Sequence, residues 1–130
     1  MKLIEMGPHD WSFSEFSRSK SAEEAFEQAL DFLGPEDYEL AESAFKNIIL
    51  ENLDDIDAYN NLAMLYDATD REIEAYFCIK AAVDVGFEAL PKKFDWKKSK
   101  LDWYVLENRP FLRAYNTLGI WHYRMEQPEI

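Results

Sequence analysis

The stretch Tyr59-x-x-Leu62-Ala63-x-x-Tyr66, followed by Ala75-x-x-x-Ile79-x-x-Ala82, decides how this chain is read. Its apolar residues recur every three or four positions, a spacing that lines them along one side of a helix. Two helices are implied, parted by a polar break at Thr69-Asp70. Small Ala63, Ala75 and Ala82 mark where the two approach closely, while Tyr59, Leu62, Tyr66 and Ile79 fill the remaining space. A larger side chain at Ala63 is expected to cost about 1–3 kcal/mol by overpacking. None of these residues is chemically reactive, so the stretch speaks for binding or assembly.

The same pattern recurs 34 residues earlier. Ala25, Ala29 and Phe32 fall under Tyr59, Ala63 and Tyr66, and Ala41, Phe45 and Ile48 fall under Ala75, Ile79 and Ala82. A period of this length is the mark of a helical repeat. Ser21-Ala-Glu-Glu24 reads as a capping box opening the first helix. That helix is expected to stop at Gly34, with Pro35 in the first turn of the next. Asp55 is a plausible cap for the third helix, Thr69-Asp-Arg-Glu72 a second capping box, and Gly86 a left-handed terminator of the fourth helix. The repeats thus span 22–55 and 56–89.

After Gly86 the period breaks. Residues 90–109 form an insertion in which Asp95 is expected to cap a helix from Trp96 to Leu106. It holds a basic cluster, Lys92, Lys93, Lys97, Lys98 and Lys100. Pro110 then opens a last helix, Phe111 to about Met125. Its Tyr115-x-x-Leu118-Gly119-x-x-His122 repeats the opening motif at a shift of 56, so a partial third repeat covers 110–125. Residues 1–20, with Trp11, Phe13 and Phe16 among Ser, Gly and Pro, read as an irregular arm. Burial of those rings on the body is expected, since each large apolar side chain gains about 1.5–3 kcal/mol. Residues 21–130 are read as a single domain.

The chain resembles the tetratricopeptide repeat (TPR) family over residues 21–89 and 110–125, most closely in the second repeat. The resemblance implies an all-α, right-handed solenoid of helical hairpins, with a concave groove lined by the first helix of each repeat. TPR proteins bind peptides or protein surfaces and build complexes. In that register the groove candidates are Glu23, Phe26, Glu27 and Leu30, then Asp57, Asn60, Asn61 and Met64, then Arg113, Asn116, Thr117 and Ile120. Asn60, Asn61 and Asn116 have the donors and acceptors to bond an extended peptide backbone. One TPR subclass grips the acidic tail of heat-shock chaperones with Lys, Arg and Asn. Only Asn61, and loosely Arg113, match it, and Phe26 and Leu30 depart from it.

The 130 residues carry a formal charge of −12. Residues 1–89 hold 21 acidic and 6 basic side chains, and residues 90–130 hold 5 and 8. An acidic body disfavours general binding to a phosphate backbone. No apolar run is long enough to span a bilayer. With one cysteine, Cys78, and no secretory signal, the cytoplasm is the expected compartment. His9, His122 and Cys78 are too scattered for a zinc site. Asp54-Asp55-x-Asp57 lacks the glycine and distal glutamate of a calcium loop. No glycine loop cradles phosphate. No enzyme, metal or cofactor is expected.

The expected function is a scaffold or adaptor that binds protein or peptide. Two alternatives stay open: a small dedicated chaperone, similar to acidic TPR chaperones of bacterial secretion systems, and nucleic-acid or anionic-surface contact through Lys92–Lys100. Because end repeats need a polar cap, a homodimer through Trp121 and Met125 is also an expectation.

Overall fold

The computed structural model describes residues 1–32 and 36–126, with the Met125 side chain excepted. The expected helix stop at Gly34 and start at Pro35 lie outside the described residues. Five helices carry most of the chain: α1 (Lys20–Asp31), α2 (Tyr38–Glu51), α3 (Ile56–Ala68), α4 (Glu72–Glu88) and α5 (Arg109–Glu126). Each packs on the next, and α5 also lies against α3. Four of the six pairs related by the 34-residue shift are buried on both sides: Ala29 with Ala63, Ala41 with Ala75, Phe45 with Ile79, Ile48 with Ala82; Ala25, Tyr59 and Phe32 are half-buried. One apolar cluster, around Phe26, Phe45, Leu62 and Tyr66, joins α1 to α4. A second joins Trp11, Phe13, Val83, Phe111 and Ala114.

The second cluster exists because the first residues are not irregular. They form β1 (Leu3–Gly7) and β2 (Asp10–Phe13), an antiparallel hairpin. Its turn passes through Pro8 and His9, the latter at φ 63°. A two-residue strand, β3 (Lys100–Leu101), runs parallel to β2, pairing Trp11 with Leu101. The all-α expectation therefore covers the body but not this three-stranded sheet. Trp11 and Phe13 are buried, as the gain from covering large rings requires.

No α-helix forms over Trp96–Leu106. Asp95 does act locally, but in a turn: its carboxylate accepts from the Lys97 amide at 2.9 Å, and its own amide donates to Ser99 Oγ at 2.8 Å. Trp11 Nε1 donates to the same Ser99 oxygen at 3.1 Å, and the Lys100 amide donates to the His9 carbonyl at 2.6 Å. Pairing with the hairpin overrides the local helical signal. A short 3-10 turn, Leu106–Asn108, leads into α5. Asn108 is fully buried at its end. Its Oδ1 accepts from the Phe13 amide at 2.9 Å, and its Nδ2 donates to the carbonyls of Trp11 (3.2 Å) and Asp102 (3.1 Å).

Three helix ends differ from expectation. Ser19, not Ser21, caps α1: its hydroxyl accepts from the Ala22 amide and donates to Glu51. Thr69 closes α3 instead of opening α4, with its hydroxyl turned back to the Leu65 carbonyl at 3.0 Å. Asp70 then makes the left-handed step at φ 60°, which aspartate tolerates better than most residues. Gly86 sits inside α4, and no described glycine has a positive φ. Its role is space, because a Cβ there would run into the Phe111 ring. Asp55 caps α3 as expected, accepting from the Ala58 amide at 3.1 Å.

Candidate interaction surfaces

The groove candidates divide by burial. Phe26 belongs to the core: its ring meets Phe45 edge-on, and the Arg18 guanidinium lies 3.8 Å above it. Asn60 is also buried. Its amide donates to the Pro110 carbonyl at 2.9 Å, locking α3 to α5, while its Oδ1 has no partner. It is therefore unable to serve an extended peptide. Beside it Asp57 pairs with Arg113 at 3.5 Å. Asn61 is half-buried and donates to the Asp57 carbonyl of its own helix. Asn116 is exposed and Thr117 half-buried.

Three candidates stay outward and apolar. Leu30, Met64 and Ile120 are 40%, 67% and 44% exposed. They sit on α1, α3 and α5 at equivalent positions, under the shifts of 34 and 56 residues. Glu23 and Glu27 are exposed on α1 beside Leu30. An apolar residue repeated at one outward position on three helices is not explained by packing within the body.

A second surface surrounds the insertion. Lys92, Lys97, Lys98 and Lys100 are exposed and make no ion pair among the described residues. Lys93 lies 3.7 Å from Glu5 and over the Trp11 ring. Trp96 stacks on Tyr115 with ring centres 6.5 Å apart and meets Phe87 and Phe94 edge-on. Trp96, Phe94 and Tyr115 border a cleft of about 200 Å³. Trp103 instead lies beneath Arg109 and Arg113. Trp121, expected at a self-association face, is half-buried against the first apolar cluster. The Met125 side chain lies outside the described residues.

A further cleft, of about 310 Å³, opens between residues 13–18, the start of α3 and the start of α5. Its interior charge is settled internally. Asp55, 1% exposed, receives two hydrogen bonds from the Arg18 fork at 2.7 and 2.9 Å. Arg18 also reaches Glu23 at 3.1 Å. The Asp54-Asp55-x-Asp57 run is thus divided between a helix cap and ion pairs to Met1, Arg18 and Arg113. No group of three metal-ligating side chains occurs among the described residues. His122 is exposed, with its ring edge on Tyr76. Burial pushes the Cys78 thiol up to about 11, so little thiolate is present at neutral pH.

Reading the sequence missed Arg18, Glu42 and Asn108 altogether. Glu42 on α2 accepts from Arg71, Lys46 and Tyr66. Burial opposes its ionisation, but those hydrogen bonds outweigh burial and hold the carboxyl at about 2, against an ordinary 4.5. A carboxyl depressed on folding stabilises fully above its unfolded value and loses that contribution as pH falls through the folded one. Glu42→Gln is expected to cost about 1–2 kcal/mol at pH 7, after discounting for solvent screening. The gap between the urea midpoints of the two proteins should close between pH 4.5 and 2.

No family model, curated protein or solved structure matches this chain. No helix among the described residues is long and apolar enough to cross a membrane.

Proposed function

We propose that the chain is a non-catalytic protein-binding module of TPR type, with α1–α2 and α3–α4 as two hairpins and α5 as the first helix of a third. Support for the fold comes from burial of four shift-related pairs and from the contact of α5 with α3. Support for the function rests on one observation: Leu30, Met64 and Ile120 present the same outward apolar position on three helices. The contact surface is therefore narrower than the full groove register. Phe26 and Asn60 hold the scaffold, while Leu30, Met64, Ile120, Asn116 and Asn61 face the partner. Affinity in such a surface comes from a few anchors on a preformed shape.

The triple variant Leu30→Asp, Met64→Asp and Ile120→Asp is expected to fold and to lose the partners captured by the wild type, read by affinity capture and mass spectrometry. Identical partner sets for both proteins would overturn the reading. A single stoichiometric partner lost in the variant would favour a dedicated chaperone over a general adaptor. Nucleic-acid contact through Lys92–Lys100 has less support. The Trp96 ring is 62% exposed, but it already stacks on Tyr115 and meets Phe87 and Phe94, which leaves less of it for a base.

A further inference from the structure

In the pairs α1–α2 and α3–α4, the small residue of the repeated motif is buried: Ala29 is 0% and Ala63 4% exposed. The equivalent Gly119 of α5 is exposed, and a Cβ built on it meets nothing within 4 Å. Tyr115 and His122, equivalent to Tyr59 and Tyr66, are exposed on either side of it. Aromatic contacts continue from both. Tyr115 meets Phe87 and Trp96, and His122 meets Tyr76, which meets the 63%-exposed Phe77. The result is an outward aromatic face with a low point at Gly119, on the side of α5 turned from the groove residues Arg113 and Ile120.

We infer that this face takes an amphipathic helix of a partner protein, laid on α5 as α2 lies on α1 and α4 on α3. A covering helix in that sense runs antiparallel to α5. Its C-terminal end would then lie beside Tyr115, Trp96 and the segment bearing Lys97, Lys98 and Lys100. The partial negative charge of a helix C-terminus suits that position, and acidic side chains there suit it more. The small side chain of the incoming helix belongs opposite Gly119, where the close approach is free. A second copy of α5 fits poorly. Laid antiparallel, it would bring Arg124 and Glu126 to the lysines, a pair without the net negative charge that suits them. Charge complementarity selects an acidic-ended helix from elsewhere.

The test uses the 130-residue protein, isotope-labelled for amide NMR, and a synthetic peptide of residues 72–88. That segment already covers α3 in this fold and ends in acidic Asp84 and Glu88. The Gly119 amide is expected to shift saturably, with a dissociation constant of about 100 μM. The Gly86 amide in α4 should stay in place, showing that the peptide has not displaced α4. Gly119→Trp fills the low point, where an added Cβ meets nothing within 4 Å, and should abolish binding. Lys97→Glu with Lys98→Glu should weaken binding about fivefold at low salt and remove its salt dependence. Absence of saturation at millimolar peptide would overturn the proposal. So would binding unchanged by Gly119→Trp, a Gly119 shift produced by a thymidine dodecamer, or concentration-dependent dimerisation that itself moves Gly119.

Discussion

Asn108→Ala should cost the fold about 3–5 kcal/mol, because the fully buried side chain accepts from the Phe13 amide and donates to the Trp11 and Asp102 carbonyls. Its amide is the point where β2, the insertion and the start of α5 meet. Removing it strands the Phe13 N–H and takes a donor from the Trp11 carbonyl, each worth about 1–3 kcal/mol where water is excluded, while the Asp102 carbonyl keeps the Val105 amide at 3.2 Å. Asn108→Asp is the sharper variant, since it keeps the acceptor for Phe13 and loses only the donor. It also sets a carboxylate against two carbonyl oxygens, and is expected to destabilise nearly as much. Urea unfolding measures both. Amide exchange should locate the loss in β2 and residues 100–108, with α1 and α2 protected.

Arg18→Ala should be of similar size, about 3–5 kcal/mol, for an electrostatic reason. Asp55 is buried, caps α3, and takes both bonds of the Arg18 fork. Truncating the arginine leaves an unpaired carboxylate in the interior, the costly half of a broken buried pair. The guanidinium also covers Phe26 at 3.8 Å, so packing is lost with the charge. Adding Asp55→Asn keeps the cap and removes the orphaned charge, and should restore more than half of the lost stability. If the double variant were no more stable than Arg18→Ala alone, the main loss would be packing on Phe26.

All five helices were legible from the Tyr59–Ala82 register, because amphipathic period and small-residue spacing are local signals. The sheet was not. β3 has two residues, and its partner stands about ninety positions away, so no window of sequence contains the pairing. The hairpin did leave a trace in Gly7-Pro8-His9-Asp10, a turn-like run between Leu3 and Phe13, but its burial alternates poorly. Asp95 shows how local chemistry can be correctly sensed and wrongly extended. The carboxylate does bind a following amide, yet the chain turns instead of entering a helix. At the candidate surface, Leu30, Met64 and Ile120, which the register assigns to the groove, are exposed. The register could not tell Asn60 from Asn61, because one residue of rotation on α3 separates a seam with Pro110 from partial exposure.

The bond from Trp11 Nε1 to Ser99 Oγ joins residues 88 apart in the chain. Helix pairs close loops of a few residues, whereas this contact closes about two-thirds of the molecule on itself. Each doubling of a closed loop adds about 0.6 kcal/mol of chain entropy, so the clasp gains its contacts cheaply only after the helices have shortened the path. The repeats should therefore assemble quickly from neighbouring segments, with the clasp closing afterwards as the slow step. Opening follows the reverse order. The hairpin can release the lysine-bearing insertion while α1 to α4 stay packed, so the aromatic face beside α5 is held in shape from the opposite end of the chain.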